Sequence, residues 1–562
     1  MPTNRGPRPA YLATIVLVAS LSLTAMQARS APLQHVDGLG SLDFPVTSSS
    51  APARAAFERG MLLMHVFEYE DAALAFQQAQ ALDPGLVMAY WGEAMCATHP
   101  VWNQQDMARG RAALAKLGTT PAERAAKART PRERDYLQAV ELLYGEGDKL
   151  ARDQKVEQAF ARIAEANPGD DEAKLFHALW LLGLGQGQRQ LPQFLQAADI
   201  ARGVYRRNPD HPGAAHYWIH GMDDPEHAAG ALEAAGALSK IAPDAGHAQH
   251  MTAHIFMALG HWDDVVAANV NAERVVRGQL AAKGLPDYGC GHYSEWLEYA
   301  YFQQGRERDG MRILDDCMTT AAKAIAWSQA HPDKVMGSAR TPAQLKVRLD
   351  ASSVTMRGTA MFESLANRSR AAANPVDLSD VGMQRGWAAF ARGMQRIADG
   401  DIAQAERHAA ALGLVLHDAA TAGDAEPATR SYLAVMRDML GGAIAQARGD
   451  KAGARSLLEA ADTAADAIPF DFGPPVTFKP SHELHGDILL ADGDAAGAAA
   501  QYALALKTAP RRRLALQGRA RALEALHDPG ASAAWAQLAE VLAGADDGLP
   551  DAVEARAKAG KR

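Results

Sequence analysis

Residues 53–86 read ARAAFERGMLLMHVFEYEDAALAFQQAQALDPGL. Gly60 is followed by Ala72 twelve positions on, then by Phe76, Ala79 and Pro84. Residues 479–512, KPSHELHGDILLADGDAAGAAAQYALALKTAPRR, keep the same order and spacing with Gly486, Ala498, Tyr502, Ala505 and Pro510. Weaker copies centre on Gly393 with Ala405, and on Gly442 with Ala454 and Ala461. Packing accounts for the pattern: small residues let two helices of a unit approach, and the aromatic fills the gap to the next unit. Alternating β-branched runs are almost absent. Helix starts are frequent instead. Thr120-Pro121-Ala122-Glu123, Thr130-Pro131-Arg132-Glu133 and Thr341-Pro342-Ala343-Gln344 each place a capping Thr, a Pro at the first helical position and Glu or Gln at the third.

These are the spacings of the 34-residue tetratricopeptide unit. The predicted fold class is all-α: a tetratricopeptide-like helical-repeat superhelix (α-solenoid) with irregular insertions. Forty-nine residues separate Gly393 from Gly442 and 44 separate that glycine from Gly486, so insertions fall between units. Residues 331–385 break the pattern, with His331-Pro332, Thr341-Pro342 and Asn374-Pro375 as punctuation. The domain reading is an N-terminal array over 53–370, a linker over 371–380, a C-terminal array over 381–545 and a polar tail over 546–562. The run Phe470-Asp471-Phe472-Gly473-Pro474-Pro475 reads as a rigid inter-helix turn. Arg511-Arg512-Arg513, just after Pro510, reads as a solvated turn.

Composition bounds the function. The chain has 562 residues, 48% hydrophobic and 22% charged, with 57 basic against 66 acidic side chains. That is a globular composition. The net charge of −9 argues against a general nucleic-acid binder, which needs a basic face. Residues 1–10 carry Arg5 and Arg8 and no acid; 11–25, YLATIVLVASLSLTA, are apolar; Ala28-Arg29-Ser30 offers small residues for cleavage. This is the pattern of a secretory signal peptide over 1–30. The run is short of the roughly 20 apolar residues a membrane span needs. A flexible N-terminal segment over 31–52 follows. Removing 1–30 takes away three Arg and no acid, which deepens the net charge from −9 to −12. The expected location is the bacterial periplasm or the exterior, with no membrane span after cleavage. Three cysteines, Cys96, Cys290 and Cys317, exclude a disulfide framework or a Cys-based zinc module. A Cys290–Cys317 disulfide and buried free thiols both remain open.

Eight of the 19 His fall between residues 211 and 261, and His292 follows. His216 and His220 are i and i+4; His247, His250 and His254 are i, i+3 and i+7; His292, Glu295 and Tyr299 share that last spacing. Each set lies on one helix face. Pro243, Gly260 and Gly305 place unit starts at 212, 246 and 291. His216 and His220 then occupy positions 5 and 9 of one first helix and the other two sets positions 2, 5 and 9 of the next two, positions that line the concave groove of a tetratricopeptide array.

Three readings follow. His216, His220, His247, His250, His254 and His292 include the ligands of a transition metal, since imidazole suits Zn, Cu, Ni or Fe. Glu295, Tyr299, Asp223 and Asp224 are then ligand-binding neighbours, and a carboxylate completes the shell or orients a His. Alternatively the groove is a metal-free scaffold that binds a polar or acidic ligand, a protein or a peptide. In the third reading the His are interhelical hydrogen-bonding residues in a buried seam. His211 and His261 fall in a loop and a turn and are not ligands. Catalysis is left open: a metal with an open position activates water, with Glu295 or Asp223 as base. No HExxH occurs, because His482-Glu483-Leu484-His485 is one residue short. No phosphate-binding loop, nucleophile elbow or dinucleotide fingerprint has its strand context. Met61, Met64, Met88, Met95, Trp91 and Trp102, with His65 and His99, read as core packing.

The chain resembles a family of secreted bacterial tetratricopeptide-repeat proteins. The carrying segments are AYWGEAM at 89–95, HYWIHGMDDPEHA at 216–228, AGHAQHMTAHIFMALGHWDDVVAAN at 245–269, SEWLEYAYFQQG at 294–305 and KPSHELHGDILLADGDAAGA at 479–498. In such proteins the His-rich stretch reads closer to H-M-P-S-H-I-F; here Thr252-Ala253 stand for Pro-Ser and leave His250 and His254 in place. The resemblance spans most of residues 55–525. It implies the fold and an exported location, and supplies no reaction and no ligand set.

Overall fold

The computed structural model describes Met1 and residues 34–334, 339, 341–373, 381–421 and 427–560. Residues 2–30 of the expected signal and 374–380 of the expected linker lie outside the described residues. Among the described residues the chain forms 26 α-helices and two small antiparallel hairpins. It is an all-α tetratricopeptide-like superhelix. No described helix is long and apolar enough to cross a membrane.

The repeat logic is visible atom by atom. Helices Ala51–His65 and Tyr69–Leu82 form the first pair. A Cβ added at Gly60 would lie 2.8 Å from the Phe76 ring, and one at Gly92 of the next unit 2.5 Å from it. Ser481–Ala491 and Ala495–Thr508 repeat the device. There Gly486 and Gly518 face Tyr502 at 2.9 and 2.2 Å. One aromatic ring thus seals two helix contacts, its own unit and the next. Gly518→Ala is expected to cost about 1–3 kcal/mol, because the core must shift to admit one methyl. A lowered urea midpoint with unchanged helical circular dichroism checks it. Thr120 and Thr130 form the expected capping boxes, and the Thr341 side chain accepts from the Gln344 N–H.

Several expectations are corrected. Residues 34–50 are not a flexible segment. Gln34–Val36 pairs with Gly40–Leu42, Ser41 N–H donates to the Asp210 carbonyl (2.9 Å), and Phe44 is buried among Phe57, Trp91 and Tyr136. Apolar side chains anchor what its position suggested would be loose. Nor does the core divide at 371–380. One apolar cluster runs from Leu39 to Ala258 and a second from Cys290 to Leu484. Phe362 stacks on Phe390 and Phe478 across the expected boundary, at 5.4 and 5.7 Å. The tail is partly a packed helix, Pro550–Ala559, with Ala552 and Ala555 buried.

Arg512 and Arg513 are buried rather than solvated. Arg512 Nη1 donates to Glu363 (2.5 Å) and to the Tyr299 hydroxyl (3.0 Å), and its Nε donates to Glu483 (2.5 Å). Helices from residues 253 to 300 and from 516 to 555 share a third apolar cluster. The far end of the chain therefore docks on its middle. The first unit reaches the same place, with Phe67 4.3 Å from His216 between ring centroids and Lys283 Nζ 2.7 Å from Asp71.

Candidate metal centre

Three helices converge where these contacts meet. Pro212–Met222 carries His216 and His220, Gly246–Leu259 carries His247, His250 and His254, and His292–Gln303 starts with His292. Five of the six rings are buried; His292 is open to the cavity. One nitrogen from each of His216, His220 and His247 lies within 4.8 Å of the others, and the same holds for His250, His254 and His292. The trios adjoin: ring centroids of His220 and His254 are 5.9 Å apart, and those of His247 and His250 6.3 Å.

Hydrogen bonds orient the rings. His216 Nδ1–H donates to the His65 carbonyl (2.7 Å). Its Nε2, with those of His220 and His247, is buried and unpartnered. Buried polar atoms are nearly always satisfied by protein, water or a bound group, so three such atoms on neighbouring rings mark a place for one. In the second trio His254 Nδ1–H donates to Asp223 (2.5 Å). His250 Nδ1–H donates to Asn269 Oδ1 (2.7 Å), and Asn269 is oriented by its own amide bond to the Val265 carbonyl (2.9 Å). Both outer partners are acceptors, so both Nε2 atoms present lone pairs. These face each other at 3.2 Å. Two lone pairs at that distance repel unless a proton or a cation lies between them. Two nitrogens on one tetrahedral ion at about 2.0–2.1 Å sit roughly 3.3 Å apart.

A third cluster behaves differently. His65 Nε2–H and His211 Nε2–H donate to the two oxygens of buried Glu172, at 2.7 and 2.9 Å. The remaining nitrogens accept from the Tyr217 hydroxyl (2.9 Å) and the Ala214 N–H (3.3 Å). Every ring nitrogen is satisfied, so this is a structural network. Burial alone would raise the Glu172 pKa; the two imidazoles overcome it and hold it well below the usual range. His211 is thus no ligand, and His261 lies in its turn.

A cavity of about 1260 Å³ opens beside the trios. Phe67, Tyr69, His99, Trp102, Tyr293 and Phe472 help line it. Phe67 takes a left-handed φ of 58°, a strained conformation for an aromatic residue. Phe472 lies 4.9 Å from His254 between ring centroids, so the 470–475 turn is a wall of the site. Met61, Met64, Met88, Met95 and Trp91 are core, as read; Trp102 instead faces the cavity. Glu295 lines the cavity, and burial raises its carboxyl to about 7 against a hydrogen bond from Ser352.

Two expected ligand-binding residues are misplaced. Tyr299 is buried against Trp262 and held by Arg512, away from the cavity. Asp224 pairs with Arg189 (2.6 Å) and His227 (2.8 Å) and accepts from the N–H groups of its own turn. Cys290 and Cys317 are joined by a disulfide, which ties the start of the His292 helix to Glu307–Ala330. Cys96 is free and buried.

No family model matches the chain, and no curated protein matches it. Solved structures do. The human IFIT1 dimer with m7Gppp-AAAA is 11% identical, with a TM-score of 0.34, over 92% of this chain and 90% of that one. The APC/C hetero-tetramer Cut9–Hcn1 is 13% identical, with a TM-score of 0.32, over 84% and 76%. Yeast Tom70 is 11% identical, with a TM-score of 0.25, over 90% and 94%. At such low identity and TM-score these likenesses carry nothing about what this chain binds.

The site makes the metal-free protein sensitive to acid. Burial lowers His216 from 6.5 to about 3, and burial places His220, His247 and His250 well below 6.5. Below about pH 6.5 the unfolded chain takes up protons that the folded one refuses. Stability is therefore complete above the unfolded value and is lost as pH falls toward the folded one. The slope reaches about 1.4 kcal/mol per pH unit for each ring. The denaturation midpoint of chelator-treated protein is expected to drop from about pH 7 to about pH 5, and less so in a His216→Asn/His247→Asn variant.

Proposed function

We propose that this is an exported bacterial protein, periplasmic or secreted, that binds a transition metal in its His-lined groove. The observation that carries the metal reading is the set of three buried, unpartnered Nε2 atoms of His216, His220 and His247. The neighbouring His65–Glu172–His211 network is the contrast, since each of its ring nitrogens has a hydrogen-bond partner. Export rests on the n-region, apolar run and cleavage pattern of residues 1–30. Asp223 acts as the outer partner that fixes the His254 tautomer and strengthens its Nε2 as a donor.

Elemental analysis of tag-free protein, purified from its own compartment, tests the reading. Near-stoichiometric transition metal is expected. Asp223→Asn should weaken retention by about 10–100-fold in a chelator competition. Less than about a tenth of an equivalent, with Asp223→Asn unchanged, would support the metal-free scaffold instead. That scaffold predicts a partner whose capture ignores chelators and fails when the groove residues change.

A further inference from the structure

The two trios share a chemistry that narrows the metal. Each consists of imidazoles alone, and among the described residues no Cys, Asp, Glu or fourth His brings another ligand atom within the same 4.8 Å. The outer hydrogen bonds of His216, His250 and His254 leave their Nε2 atoms as neutral donors. Each trio is therefore a neutral three-nitrogen site, and the two stand side by side on the shared helix Gly246–Leu259.

Charge bears on the ion. Two divalent ions would bring four positive charges, against Asp223 on the His254 ring and Glu68 and Glu295 in the cavity wall. Two monovalent ions bring half that charge, and burying unpaired charge is costly. Coordination number points the same way. Zinc favours four ligands, and in three-His sites completes them with water. The His216, His220 and His247 trio is buried, with Phe67 packed over all three rings at 4.3–5.6 Å between centroids. A closed d¹⁰ monovalent ion is content with three nitrogens. Imidazole suits copper, and copper heads the divalent affinity order should the ion be oxidised.

We propose that the six imidazoles hold a pair of copper ions, bound as Cu(I), one in each trio. The assignment rests on the metal-binding reading above and sharpens it. Both trios reach the cavity, the first through His220 and His247 and the second through His254 and the exposed His292.

The test uses full-length, tag-free protein. It is loaded anaerobically with Cu(I), desalted, challenged with excess Zn(II), and its metals are counted. Two retained copper ions per chain are expected. His220→Ala and His292→Ala should each retain one, and the double variant none, with helical circular dichroism unchanged. Should an alanine variant fail to fold, His220→Asn and His292→Asn give the same readout. Zinc displacing copper, or one copper per wild-type chain with both variants alike, would overturn the copper pair and leave the metal reading standing. Retention of neither ion would remove the metal reading itself.

Discussion

Arg512→Met is expected to destabilise the protein by about 3–5 kcal/mol, the cost of leaving a buried charge without its partner. Arg512, Glu363 and Glu483 are fully buried. Without the guanidinium, Glu483 keeps only Lys479 at 2.6 Å, and Glu363 keeps the Gln303 amide at 3.0 Å. The residue also holds Tyr299 and so ties the C-terminal helices to the helix that begins with His292. Thermal melting should show the loss as an early transition. Arg512→Met combined with Glu363→Gln and Glu483→Gln should recover a good part of it, because the orphaned charges are then gone. If Arg512→Met melts like the wild type, the network does not hold the two ends of the superhelix together.

His216→Ala with His247→Ala is expected to produce the largest functional loss. It removes two of three donors from the buried trio, so its retention should fall by more than the roughly 10–100-fold an outer partner is worth. The metal-free fold should lose stability too: both Nε2 atoms are unpartnered, but the His65 carbonyl loses the His216 Nδ1–H and two buried rings leave a cavity. His216→Asn with His247→Asn fills more of that space and should lose metal to the same extent with a smaller loss of stability, which separates ligation from packing. Equal metal content in variant and wild type would show that these rings are not ligands.

The sequence disclosed what is local. Gly60 with Phe76 and Gly486 with Tyr502 lie within one helix pair, so their spacing survives in the chain. The i, i+4 and i, i+3, i+7 spacings grouped the six His for the same reason. What stayed hidden depends on contacts between distant units. Glu172 joins His65 to His211 across more than a hundred residues. Phe67 and Trp102 reach His247 because the superhelix closes on itself. Tyr299 sits at the same repeat position as His254 and His220, yet Arg512 arrives from the far end and turns it out of the cavity. Arg512 and Arg513 follow a unit boundary, where solvent is the ordinary neighbour; burial came from docking that no local pattern records. Asp223 and Asp224 are adjacent in sequence, but only the first bonds to one of the six rings.

An anomalous-difference map from crystals of metal-loaded, tag-free protein tests the central claim most directly. A peak bonded at about 2.0–2.1 Å to nitrogens of His216, His220 and His247 is expected, with a second among His250, His254 and His292. An ordered water or empty density between those rings, at full metal loading, would contradict it.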